Sequence, residues 1–263
     1  MVIAYITSGS FLFVLSAYLV GRLVYGLGIM IFAVRWLKPM LGEGWYKAPM
    51  SLITDKRDLI KFAVSTNLSG TLNMIIRDSE VLWVGYFLTK TEAGYYSFAR
   101  NIVVGMMTPI TPLVNTIFPE MSKFVARKEW NSLKSILRKT TWLAAAYSAA
   151  CMVGVLAFGG WVLGILKGGL YLPSLPAILV LMIGYAAANT VFWNRAILLS
   201  FNKPNEPLYI TAVVGAVKTA LLFVLVKPFG YVAQAALLSG YFVITAVWIT
   251  WRALMELKRN LPV

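Results

Sequence analysis

An all-α, polytopic membrane fold of about seven transmembrane helices is predicted by three observations. Apolar side chains make up 59% of the 263 residues and charged ones 13%, against roughly 25% charged in ordinary soluble domains. A water-soluble fold of this size could not hide so much apolar surface without exposing large patches, and the mean hydropathy of +0.74 agrees. Second, the apolar residues gather into seven runs, at 10–36, 59–88, 94–119, 140–166, 174–201, 208–227 and 230–254. Each can cross about 30 Å of hydrocarbon as a helix. Third, these runs lack the alternation and the short length of barrel strands.

The first run has no basic leader and passes directly into Arg35, Trp36 and Lys38, which suits a span and not a signal peptide. The second contains Arg77, Asp78 and Glu80, and the third Arg100 with Pro109 and Pro112. Each proline removes a backbone hydrogen bond and bends its helix, as a static kink or as a moving, cavity-lining hinge. Between the third and fourth runs, residues 119–139 interleave Met121, Phe124, Val125, Leu133, Ile136 and Leu137 with six basic residues. That pattern fits an interfacial helix on anionic lipid headgroups or a basic loop of helical character. In the fourth run Gly160, Gly164 and Gly168, spaced four apart, permit close helix packing. The fifth run carries Arg195 and the sixth Lys218; the seventh ends in Arg252, Lys258 and Arg259.

Charge sets the expected orientation. The chain has 24 Lys and Arg against 10 Asp and Glu, a net of +14. Residues 35–61 and 123–139 hold six basic residues each, whereas the loops at Lys90 and Lys167 hold one apiece. Basic loops stay cytoplasmic, so the N-terminus is expected outside and the C-terminus inside. Trp36, Trp142, Trp248 and Trp251 then lie near the cytoplasmic ends, as an interfacial belt requires.

Composition also excludes chemistry. There is no histidine and a single cysteine, Cys151. The commonest metal ligand is thus missing, no intramolecular disulfide can form, and no metal or cofactor is expected. No phosphate-binding Gly-Lys-Ser/Thr motif and no nucleophile–base pair stands out. An enzyme and a nucleic-acid partner are not expected.

Charges at membrane depth are costly, by at least ~2.5 kcal/mol each, and face a protein interior or a wet cavity. Here they are Arg22, Arg77, Arg100, Arg195 and Lys218 against Asp78 and Glu80. Counting residues at 1.5 Å each puts Asp78 and Arg100 at similar depth, so they are expected to pair across the hairpin, while Glu80 can reach Arg77. Arg22, Arg195 and Lys218 lack an evident acidic partner and are the candidate ligands for an anion, guanidinium being suited to phosphate.

The motifs DLIKFA at 58–63, RDSEVLWVGYFL at 77–88, AGYYSFAR at 93–100 and FPEMS at 118–122, with NKP at 202–204 and PFGYVA at 228–233, give the chain a family likeness. Over about residues 55–255 it resembles the Wzx-type polysaccharide biosynthesis flippases of the multidrug/oligosaccharidyl-lipid/polysaccharide exporter superfamily. The resemblance implies two six-helix lobes around an alternately opening cavity. This chain then corresponds to one helix (1–38), a cytoplasmic linker (39–57), a six-helix C-terminal lobe (58–257) and a tail (258–263). The first lobe would be missing, or supplied by a partner. The implied substrate is an anionic polyprenyl-pyrophosphate-linked oligosaccharide, moved across the cytoplasmic (inner) membrane for O-antigen or similar cell-surface assembly. Its rivals are a multidrug exporter of the same superfamily, a truncated fragment without transport of its own, and a membrane glycosyltransferase or polymerase.

Overall fold

The computed structural model describes residues 11–42 and 55–260. The chain divides into two units, Met1–Lys56 and Arg57–Val263.

Among the described residues, the first unit holds one complete helix, α1 (Phe11–Leu41). Its 31 residues span about 46 Å at helical rise, more than the hydrocarbon thickness. It stops at Gly42, whose φ of 82° is the left-handed conformation of a helix C-terminus.

The second unit holds α2 (Lys56–Asp78), α3 (Glu80–Phe87), α4 (Lys90–Met107), α5 (Thr111–Ala126), α6 (Trp130–Ile165), α7 (Leu175–Thr190), α8 (Asn194–Ser200) and α9 (Asn205–Asn260). Helix α7 is the central post. Ala177, Ile178, Leu181 and Met182 on it are buried, as are Val103 on α4, Leu163 on α6 and Leu238 on α9. Its Gly184 lies flush against the backbone of Ser239, whose hydroxyl donates to the Val180 carbonyl at 2.7 Å. A side chain at Gly184 would push α7 off α9. The Gly160 series does less than its spacing predicts: nothing stands within 4 Å of a Cβ built at Gly164 or Gly168, and the close approach is at Gly159, against Leu175. Large apolar side chains such as Val153, Phe158, Trp161 and Ile165 point outward, a surface that only lipid or another protein tolerates.

Five helical stretches are long and apolar enough to cross a membrane, beginning at Ser16, Lys90, Trp130, Leu172 and Asn205. The last, α9, runs for 56 residues but breaks at Gly230 (φ 71°, ψ −167°), a conformation that only glycine adopts readily. It therefore accounts for two expected spans. The expected span at 59–88 differs from prediction. It is broken at Ser79 into α2 and α3, and α2 is too polar to count as an apolar stretch. Its Ser65 and Ser69 are buried, and Ser65 and Asn73 find partners on α9: Asn205 at 2.5 Å and Tyr241 at 2.9 Å. With no strand among the described residues, the chain is an all-α, polytopic membrane protein.

Two further sequence features take a definite form. Pro109 opens a 3-10 turn at Thr108–Ile110, and Pro112 sits in the first turn of α5. There a missing N–H costs little, and the pair marks a local 3-10 break within the helical run Lys90–Ala126. Residues 119–139 are not one interfacial helix. They form the end of α5, a turn at 127–129 with Lys128 at φ 58°, and the start of α6.

Candidate functional site

The charges at membrane depth in the second unit fall into two groups. The first is dry. Glu80, at the start of α3, is 0% exposed and Lys218 of α9 is 4% exposed, and the two form an ion pair. Tyr96 of α4 donates to Glu80 Oε2 at 2.9 Å, Gln234 of α9 donates to the same oxygen, and Lys218 Nζ also donates to the Ile76 carbonyl at 3.0 Å. The break at Ser79 leaves the Ile76 carbonyl available and turns Glu80 inward. Close passage is possible because position 215 of α9 is glycine, packed directly on Ile76. A buried charge needs a partner and hydrogen bonds to its remaining sites, and this cluster supplies both. Lys218 is therefore not a free cation for a ligand, contrary to expectation. Glu80 is held by Lys218, 138 residues away, and not by Arg77.

The second group is open. Arg77 and Arg195 line one cavity of about 300 Å³, together with Asn73, Asn194, Phe242 and Thr245. Arg77 and Asn73 are four residues apart on α2 and so share a face. On α8, Asn194 is anchored by donating to the Ala246 carbonyl (3.3 Å) and the Thr250 hydroxyl (3.2 Å) of α9. Arg195, next to it, donates to Thr211 at 3.1 Å, a neutral partner that leaves its charge uncompensated. Asp78 is shared: Arg100 of α4 pairs with it, and Arg77 Nε stands 3.5 Å from it. Four cations and two carboxylates at this depth leave two positive charges, and the cavity walls bear Arg77 and Arg195. A pair of guanidiniums flanked by amide side chains is suited to binding phosphate oxygens.

A larger hollow of about 410 Å³ is lined by Asp58, Lys61, Lys203 and Glu206. Two acids and two bases give it no net preference for an anion.

A family model described as "Polysaccharide biosynthesis protein" matches residues 1–176. The chain belongs to that family. The match takes in α1 and ends inside α7, so it begins before the motifs at 58–122 and stops short of those at 202–204 and 228–233. No match is found among curated proteins or solved structures. The family supports a role in polysaccharide biosynthesis or export.

Within this polysaccharide biosynthesis protein, Arg22 belongs to the first unit. Its guanidinium donates to Tyr18, one turn earlier, at 2.8 Å and 3.1 Å and lies 5.2 Å from that ring's centroid. Arg77, expected among the structural pairs, is on the cavity wall. Asn73 and Asn194 were not singled out from the sequence. The signal was present in their placement one turn before Arg77 and immediately before Arg195.

Proposed function

We propose that this protein is part of a flippase-type exporter for an anionic, polyprenyl-pyrophosphate-linked oligosaccharide, acting in the cytoplasmic membrane with its basic segments inside. The observation that carries the reading is the cavity on which Arg77 and Arg195 converge with two amide side chains. Arg195 and Arg77 are the candidate phosphate ligands; Asn194, whose amide is spent on Ala246 and Thr250, holds the cavity's shape, and Asn73 offers a further donor. Cationic cargo of the multidrug kind would meet repulsion here. The intramembrane carboxylates are both engaged by cations, Asp78 by Arg100 and Glu80 by Lys218, so neither is poised as a base for sugar transfer. That supports transport in place of covalent chemistry. Alternating access would come from movement of the lobe against its counterpart, with no part for a cofactor.

Binding of a fluorescent short-chain polyprenyl-pyrophosphoryl sugar to the purified full chain tests this. A charged hydrogen bond contributes ~1.5–3 kcal/mol, so Arg195→Ala or Arg77→Ala should weaken binding by about tenfold or more. Arg195→Lys should restore only part, because an ammonium cannot copy the planar fork. Wild-type affinity in the double alanine variant would sink the assignment.

A further inference from the structure

A second basic feature lies apart from the cavity, on the outer surface of the bundle. Between the start of α6 and the end of α9 runs a groove of about 230 Å³, lined by Lys134, Leu137, Arg138, Trp142, Trp193 and Leu254, with Thr141 and Leu257 completing it. Lys134 and Arg138 are four residues apart, exposed, and on one face of α6. Leu137, Trp193 and Leu257 form a buried floor, while Trp142 stands 68% exposed at the apolar end. Trp193 is fixed there by donating to Thr141 at 2.7 Å.

Depth explains this arrangement. The 36 residues of α6 span about 54 Å, far more than the ~30 Å of hydrocarbon, so one end must stand in the headgroup layer. The continuous apolar stretch of α6 begins at Trp142. Arg138 and Lys134 lie about 6 Å and 12 Å beyond it along the axis, at headgroup depth. Charge complementarity is unspent there. Among the described residues Lys134 and Arg138 form no ion pair, and the two acids of α9 are engaged elsewhere: Glu206 by Arg252 at 2.5 Å, Glu256 by Lys203 at 2.7 Å.

We propose that this groove binds one anionic phospholipid. Its phosphate sits between Lys134 and Arg138, and the first part of an acyl chain lies along Trp142, Leu254 and Leu257. The groove is apolar past its two cations, lined there by Trp142, Leu254 and Leu257, a surface that a free phosphate would not use. The site is independent of the Arg77–Arg195 cavity, and a lipid held here would clamp α6 to α9 on the face that the basic segments share.

Native mass spectrometry of the full chain in detergent, with added phosphatidylglycerol or phosphatidylcholine, tests the proposal. Phosphatidylglycerol should be retained preferentially. Two interfacial cations act at about 1 kcal/mol each, so Lys134→Gln with Arg138→Gln should weaken its retention by about tenfold or more. Lys128→Gln with Lys139→Gln removes the same charge outside the groove and should leave retention unchanged. Equal losses in the two double variants would mean general charge attraction and overturn the site. Displacement of the lipid by millimolar inorganic phosphate would show an anion site without a lipid groove, and overturns it too. Retention of neither lipid, as when another protein segment fills the groove, does the same.

Discussion

At the scale of single residues, the buried Glu80–Lys218 pair and the half-exposed Asp78–Arg100 pair are different kinds of interaction. Asp78 is not enclosed and has two guanidiniums, Arg100 and Arg77, within 4 Å, so the loss of one leaves the other. Glu80 has no such recourse, since it is fully enclosed and bonded by Tyr96 and Gln234 as well as Lys218. Removing one member of a buried pair strands the other and costs about 3–5 kcal/mol, whereas replacing both by neutral groups of similar volume is close to neutral. Glu80→Gln and Lys218→Met should therefore each lower the thermal unfolding midpoint in detergent strongly, and the double variant should recover most of the loss. Additive losses would show that the two side chains do not act as a pair. The Asp78–Arg100 geometry could be reached from the sequence, because a short hairpin makes neighbours of adjacent spans and residue counting gives depth. Depth alone could not bring Lys218 to Glu80. Lateral neighbours across 138 residues depend on how the helices pack, and on the break at Ser79 that turns the carboxylate inward.

At the scale of elements, hydropathy made most helices legible, since lipid demands long apolar runs whose backbone is satisfied internally. The exceptions share one cause. Where side chains bond to neighbouring helices, as on α2, polarity stops reporting whether a helix is surrounded by lipid. Where prolines and glycines interrupt a run, composition marks a break without its geometry. Pro112 starts a helix, and Gly230 divides one. The angles at Gly230, φ 71° and ψ −167°, belong to a region that costs other residues about 1–3 kcal/mol. Gly230→Ala should therefore lower the unfolding midpoint. Gly240→Ala, on the same run with nothing within 4 Å of the added carbon, should be neutral or slightly stabilising by helix propensity. Equal midpoints for the two variants would mean that the break between the last two spans tolerates a side chain.

At the scale of the whole molecule, charge asymmetry governs orientation, and orientation decides what both proposed sites can meet. Basic residues concentrate at 123–139 and again at Lys258 and Arg259, while Lys90 stands alone at the start of α4. Basic segments resist translocation, so Lys90 is expected outside and Lys258 inside. Both are exposed on helical backbone, which makes them suitable for labelling once Cys151, the only native cysteine, has been replaced. With Lys90→Cys, a membrane-impermeant maleimide should react in intact cells. With Lys258→Cys, it should react only after permeabilisation. The opposite pattern would invert the molecule and place the Lys134–Arg138 groove in the outer leaflet. It would also turn Asp58, Lys61, Lys203 and Glu206, which share the side of the 123–139 segment under the expected topology, to face outward. A lipid-linked substrate made inside would then have to enter from the Lys90 side, past the Asp78–Arg100 pair instead of the polar hollow at Asp58 and Glu206.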